Sequence, residues 1–160
     1  MKKIAIAMLL SAFVAAPAFA ADGKNSVGVN YGLDNNGTFG IQGEFDVSSS
    51  FNKAPVSVQV FWKKGSENVW FTSYDHSALG VAGIYDLSSA LKLDKKIQPY
   101  VGLGLRRESA TVAVGGLTAS ASDIELHITF GAKYSLSPEV SANLNYNDFG
   151  GLTIGADFKF

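Results

Sequence analysis

The sequence predicts an all-β fold: an eight-stranded antiparallel up-and-down transmembrane β-barrel with a polar, side-chain-filled lumen. Three observations predict it. Beyond residue 20 the chain falls into runs of strict apolar/polar alternation, the period of a strand with two chemically different faces. The polar side of those runs mixes acids, bases and glycines. All 17 glycines lie beyond residue 20 among abundant aromatics, a pairing of tight turns and crowded interiors that a flexible linker would not show.

The first twenty residues stand apart. Lys2 and Lys3 begin a segment that is apolar over residues 4–16, breaks at Pro17 and ends in Ala18-Phe19-Ala20, the pattern of a cleaved signal peptide. That apolar stretch is too short for a helical span, which needs about 20 residues, and no later stretch replaces it. The expectation is a signal peptide over residues 1–20 and one barrel domain over residues 21–160, neither a helical membrane protein nor a cytosolic one. Of the 13 basic side chains, Lys2 and Lys3 leave with the signal, so 11 face 14 acids and the net charge is −3. Such a chain has no electrostatic footprint for nucleic acid. It has no cysteine, hence no disulfide framework and no cysteine metal site.

The strands follow in order. The first, residues 26–33, sets Val27, Val29, Tyr31 and Leu33 against Gly28 and Asn30, and residues 34–37, ending in Asn-Gly, turn the chain back. The second, 38–47, opposes Phe39, Ile41, Phe45 and Val47 to Gln42, Glu44 and Asp46. The third, 56–64, opposes Val56, Val58, Val60 and Trp62 to Ser57, Gln59, Phe61 and Lys63. The fourth, 78–87, opposes Leu79, Val81, Tyr85 and Leu87 to Gly80, Ala82 and Asp86. The fifth, 97–106, opposes Ile97, Val101, Leu103 and Leu105 to Tyr100, Gly102, Gly104 and Arg106. The sixth, 123–136, opposes Ile124, Leu126, Ile128, Phe130 and Tyr134 to Glu125, His127, Thr129, Gly131 and Lys133. The seventh, 140–147, opposes Ala142, Leu144 and Tyr146 to Asn143, Asn145 and Asn147. The eighth, 152–160, opposes Leu152, Ile154, Ala156, Phe158 and Phe160 to Thr153, Gly155, Asp157 and Lys159. No repeat beyond that of the hairpins is read. Residues 65–77 and 107–122 read as loops, the small polar stretch 118–122 as a mobile one.

Alternation leaves open which face points inward. A soluble barrel would put the apolar face around a ligand, a membrane barrel against lipid. The polar face carries Glu44, Asp46, Asp86, Glu125 and Asp157 with Lys63, Arg106, Lys133 and Lys159, nearly balanced charges that suit an enclosed, paired network. Glycines on it, such as Gly28, Gly40, Gly102, Gly104, Gly131 and Gly155, leave room for long side chains opposite. Apolar-face aromatics cluster at strand ends (Tyr31, Phe39, Trp62, Tyr85, Tyr134, Tyr146, Phe158, Phe160), as in interfacial girdles. Closure also removes unpaired edges that lipid would not tolerate. Eight strands leave a lumen that side chains just fill, so little or no steady ion conduction is expected.

The last strand, Thr153-Ile154-Gly155-Ala156-Asp157-Phe158-Lys159-Phe160, resembles the C-terminal assembly signal of bacterial outer-membrane barrels, carried by Gly155, Phe158 and Phe160. Pro99-Tyr100-Val101-Gly102-Leu103-Gly104 looks like a strand common in small opacity-like, OmpA-transmembrane-like and OmpX-like barrels, and the return through Leu136-Ser137-Pro138-Glu139 is similar to theirs. The resemblance implies residence in the bacterial outer membrane, both termini in the periplasm, and delivery through the barrel-assembly machinery by the C-terminal strand. Residues 34–37, 65–77, 107–122 and 148–151 then face outward, and residues 48–55, 88–96 and 137–139 the periplasm.

Candidate sites follow from this orientation. His127 shares the lumen face with Glu125 and Thr129. A histidine, a hydroxyl and a carboxylate could serve a hydrolase, and His127-x-Thr129 resembles the His-x-Ser pair of outer-membrane lipid A deacylases without the rest of that motif. The plainer reading is a lumen histidine satisfied by its neighbours. His76 reads as a loop residue with no partner in view. Lys64 and Arg107 point outward near the outer rim, where they could hold lipopolysaccharide phosphates or merely snorkel. Lys92, Lys95 and Lys96 form a basic periplasmic turn, read as solvated. No calcium loop, metal-ligand cluster or phosphate-cradling loop is present in the pattern, so no cofactor is expected. The functional expectation is a non-enzymatic outer-membrane barrel with an envelope-structural or surface-interaction role, in contact with outer-membrane lipids and lipopolysaccharide. The alternatives are a passive conduit for small solutes or lipophiles and a lipid-modifying enzyme.

Overall fold

The computed structural model describes residues 25–33, 37–69, 72–94, 96–114 and 117–160. The expected signal peptide, the tip of the first hairpin (34–36) and Lys95 lie outside the described residues. Eight strands run in chain order around a closed antiparallel barrel: β1 (Ser26–Gly32), β2 (Phe39–Asp46), β3 (Val56–Val69), β4 (Thr72–Asp86), β5 (Ile97–Val114), β6 (Leu117–Ser135), β7 (Val140–Asn147) and β8 (Gly151–Lys159). The ring closes where β1 pairs with β8, from Ser26 opposite Lys159 to Gly32 opposite Thr153. Every strand therefore has a partner on both sides across the membrane zone, the condition hydrocarbon imposes on backbone polar groups.

Orientation follows from which residues are covered. The apolar face is exposed, with Leu103 58% and Leu105 55% accessible, whereas Asp157, His127 and Asn147 on the other face are almost fully buried. A barrel in water would be built the other way round. The enclosed apolar cluster is small: Phe61, Ala82, Ile84 and Tyr100. Close ring packing makes some lumen glycines obligatory. A Cβ on Gly28 would meet the Asp157 carboxylate, and one on Gly155 the Val29 carbonyl oxygen.

The strands are far from equal. β3 to β6 have 14, 15, 18 and 19 residues, β1 only 7 and β2 only 8. The segments read as outward loops, 65–77 and 107–122, are thus a correction: most of both is paired strand. Glu67 pairs with Tyr74, Tyr74 with Val112 and Val112 with Ala119, so a four-stranded wing rises above the barrel on one side. The stretch 118–122, expected to be a loop, pairs with residues 109–113. The cause of the misreading is physical. Above the membrane neither face meets lipid, so the pairing continues while the apolar/polar contrast changes.

That contrast in fact inverts. Continuing the lumen parity upward, β5 carries Ala110, Val112 and Val114, β6 carries Ala121, Ala119 and Leu117, and β4 carries Tyr74. Continuing the lipid parity, the same strands carry Ser109 and Thr111, Ser122 and Ser120, and Ser77, Asp75 and Ser73. Below the rim apolar side chains point out; above it they point in. The wing also has open edges. β2 pairs with β3 only as far as Lys64, and β7 with β6 only as far as Thr129, so among the described strands nothing pairs with β6 over residues 117–126 on its β7 side.

Candidate functional site

The lumen holds two separate ion clusters. At the outer end Arg106 is the hub: Nη1 lies 2.6 Å from Asp148 Oδ2, Nη2 2.6 Å from Glu125 Oε2 and Nε 3.3 Å from Glu108 Oε2. Arg106 and Glu125 are direct partners in the β5–β6 ladder, which aims them at each other. The His127 Nδ1 approaches Asp148 Oδ1 at 2.7 Å. Since the ionised carboxylate only accepts, Nδ1 carries the proton. The imidazole also packs on Phe61, with ring centroids 4.4 Å apart. Asp148 belongs to the turn between β7 and β8, and that turn folds inward: the Phe149 ring lies 5.8 Å from the Arg106 guanidinium and 5.3 Å from His76. The turn closes the outer mouth.

At the opposite end, the one expected to face the periplasm, Lys133 Nζ donates to Glu44 Oε2 at 2.6 Å and lies 3.9 Å from Asp157. Gln42 Nε2 donates to Asp157 Oδ1 at 2.9 Å and Asn143 Nδ2 to Oδ2 at 3.0 Å. Tyr100 donates to Asn143 Oδ1 at 3.0 Å, and Asn30 Nδ2 to Gln42 Oε1 at 3.1 Å. A charge this deep needs its lone pairs filled, and amides on neighbouring strands fill them. Below this layer a cavity of about 390 Å³ opens to the periplasm, lined in part by Glu44, Asp46, Asp86, Lys53, Lys133 and Lys159.

Several expectations need correction. Asp46 and Asp86 stand at the periplasmic mouth, where each carboxylate accepts the backbone N–H two residues on, from Ser48 at 2.7 Å and Ser88 at 2.6 Å. They hold turns, because the strands end there. Lys159 sits at the same rim and donates to Ser135 at 3.3 Å. Lys63 is buried, yet its Nζ finds the Phe61 ring, 5.2 Å to the centroid, with no carboxylate of the described residues at ion-pair distance. His76 is no loop residue: it lies on β4 against Phe149. The Thr129 hydroxyl donates to the Tyr146 carbonyl at 3.3 Å, so the pair His127-x-Thr129 does not assemble a nucleophile and its base. Lys64 and Arg107 are exposed on the outer face, and Arg107 Nη2 donates to Ser122 at 3.3 Å.

Sequence reasoning missed Asp148, Gln42, Asn143 and Tyr100 as network members. Gln42, Asn143 and Tyr100 were on the polar face by parity, so their amide and hydroxyl groups were the available signal. Asp148 gave none, because a turn residue has no parity. Among the described residues no cluster of three or more His, Cys, Asp or Glu could hold a metal ion.

No curated protein matches the sequence closely. Among solved structures the chain is similar in fold to Neisserial surface protein A, at 19% identity and a TM-score of 0.60, covering 85% of this chain and 94% of that one. It is similar to the N-terminal β-barrel domain of Pseudomonas aeruginosa OprF at 14% identity and a TM-score of 0.63, covering 85% and 96%. It also resembles Ail, the attachment invasion locus protein of Yersinia pestis, at 15% identity and a TM-score of 0.55, covering 85% and 96%. A family model described as the outer membrane protein beta-barrel domain matches residues 5–160. The chain belongs to that family and is a bacterial outer-membrane β-barrel.

Proposed function

We propose that this barrel is a non-enzymatic surface-interaction protein and that its wing is the interacting part. The observation that carries the reading is the inversion of polarity above the rim. Val112, Val114, Leu117 and Tyr74 form an apolar inner face outside the membrane, with Leu117 81% accessible. Next to it lies the β6 edge over residues 117–123, which no described strand pairs on the side away from β5, a template for an extended chain; beyond it the Ile124 N–H donates to Asp123 and the Leu126 carbonyl accepts from Arg106. Arg106 is shared by Glu108, Glu125 and Asp148, and Asp123 stands beside them, so carboxylates outnumber the one cation of this cluster and favour a partner with basic side chains. A conduit reading would need an open lumen, and Lys133, Glu44, Asp157 and Arg106 occupy it.

The remaining assignments belong to the same proposal. Residues 1–20 are the cleaved signal. Gly155, Phe158 and Phe160 on β8 are read by the barrel-assembly machinery. Lys64 and Arg107 contact lipopolysaccharide phosphates at the outer rim, supported by their exposure on the outward face. A Lys64→Ala/Arg107→Ala variant with unchanged lipopolysaccharide affinity would remove that last assignment.

The test of the wing uses the full barrel refolded in micelles and a peptide alternating Lys and Val. Hydrogen exchange of the β6 amides over residues 117–123 should slow on adding the peptide. A version with Pro at alternate positions should have no effect, since it lacks the donors. Unchanged exchange with both peptides would overturn the reading.

A further inference from the structure

The open edge of β6 runs from Leu117, at the far end of the wing, down to the rim, and its two ends differ in chemistry. At the far end Leu117 pairs with Val114, and both are exposed and apolar. At the foot Glu108 and Asp123 are direct ladder partners, a placement in which like charges repel. Arg106, the cation below them, is already held by Glu108, Glu125 and Asp148. The Asp123 carboxylate accepts only the Ile124 N–H, at 2.7 Å, and no cation of the described residues lies at ion-pair distance from it. The foot of the edge is acidic and lacks a cation, whereas its far end carries no charge.

Below the rim β7 fills this side of β6. It runs antiparallel to β6, from Ser141 opposite Ser135 to Asn147 opposite Thr129, and then leaves the edge in the turn that carries Asp148. A strand added above takes the place where β7 stops. Antiparallel pairing is the more stable per residue and continues the pattern of the ring. An antiparallel strand climbs from the foot to the far end, so its amino-terminal end lies against the acids. A parallel one would bring its carboxyl-terminal end there. The inner side of the edge carries Asp123, then Ala121, Ala119 and Leu117. The two alanines leave room beside them for larger apolar side chains, while Ser122, Ser120 and Thr118 on the other face suit polar ones.

We propose that the wing takes an extended segment antiparallel to β6 whose amino-terminal end carries its cation. A lysine or arginine stands opposite Asp123, and apolar side chains stand opposite Ala121, Ala119 and Leu117. Such a partner rests on the surface-interaction reading of the wing, to which it adds a direction and a place for the charge. Ladder hydrogen bonds would hold a segment of either direction; the charge at one end of the edge selects between them.

The test uses the full barrel refolded in micelles and two blocked heptapeptides of one composition, acetyl-Lys-Thr-Val-Thr-Val-Thr-Val-amide and its reverse, acetyl-Val-Thr-Val-Thr-Val-Thr-Lys-amide. Affinity is read from the amide resonances of residues 117–123. The lysine-led peptide should bind about two- to fivefold more tightly, the range of one exposed ion pair. Asp123→Asn, which keeps the acceptor for the Ile124 N–H, should bring the two peptides to parity. So should 1 M salt, where screening acts within about 3 Å. A nitroxide on the amino end of the lysine-led peptide should broaden the amides of residues 123–125, and one on its carboxyl end those of residues 117–119. Equal affinity of the two peptides, a preference that survives Asp123→Asn or the salt, or the opposite broadening pattern would overturn the direction and leave β6 as the binding edge. Binding of neither peptide would overturn the direction and the wing reading together. Slowed exchange of the same amides as barrel concentration rises, with no peptide present, would give the edge to a second copy and overturn the assignment too.

Discussion

Arg106 and Asp148 meet at 2.6 Å across the outer end of the lumen, one on a strand and the other on the turn that closes the mouth. Asp148 also holds His127, so one carboxylate secures both the plug and the imidazole. Asp148→Asn should lower stability by about 1.5–3 kcal/mol, the range for hydrogen bonds to charged groups. The loss stops short of a fully stranded charge because Arg106 keeps Glu125 and Glu108. Glu125→Gln, at a half-exposed carboxylate, should cost less than about 1 kcal/mol. Urea unfolding in phospholipid vesicles gives both values, and equal losses would show that Asp148 is not the anchor of the turn.

The periplasmic cluster is deeper and has fewer substitutes. Lys133→Met leaves Glu44 and Asp157 without their shared cation and should cost about 3–5 kcal/mol. Distance decides how that loss divides. Glu44 lies 2.6 Å from Nζ and Asp157 3.9 Å, and Asp157 also receives two amide N–H groups. Double-mutant cycles should therefore give a larger coupling for Lys133 with Glu44 than with Asp157. The reverse order would mean that the amides, not the lysine, are the dispensable part of the cluster.

What the sequence made legible was whatever depends on parity. The number of strands and the grouping of Lys133, Arg106, His127 and Asp157 on one face follow from a period of two, and the balanced charges and glycines of that face mark it as the lumen. Partner choice follows from neither. Gln42 and Asp157 meet only because the ring closes β8 on β1 and sets β2 next in line, a contact no local pattern carries. Asp46 and Asp86 had lumen parity but lie where their strands end, so their carboxylates reach the amides of the turns. The wing was hidden for a third reason. Its polarity runs opposite to the barrel's, and residues 118–122, small and polar, read as loop although Ala119 and Val112 are ladder partners.

Glycine offers a sharper comparison of packing. A Cβ on Gly104 would fall against the Val81 carbonyl oxygen and the Ala82 backbone, neither of which can yield without moving β4. One on Gly83 would meet only the Leu103 carbonyl oxygen, at 3.9 Å. Gly104→Ala should cost about 1–3 kcal/mol, as overpacking does. Gly83→Ala should leave stability unchanged or raise it by up to about 1 kcal/mol, by narrowing the unfolded ensemble. Folding yield and urea midpoint of the two single variants separate these outcomes, and similar losses at both sites would mean that the barrel wall is looser than its register implies.

The absence of cysteine makes the membrane boundary itself measurable, because each introduced thiol is unique. On the outward face of β5 the residues run Leu103, Leu105, Arg107, Ser109 and Thr111, from apolar to polar within a few steps. If hydrocarbon ends near Arg107, Leu103→Cys and Leu105→Cys in intact cells should resist a charged maleimide. Ser109→Cys and Thr111→Cys should label readily. Val112→Cys, on the opposite face, should label too, since the wing's inner side stands above the lumen and in water. A polar lumen extended upward unchanged would not place apolar Val112 and Val114 there, so their accessibility tests the inversion directly. Protection of Val112 together with Leu103 would put the wing inside the bilayer and remove the case for a partner at the cell surface.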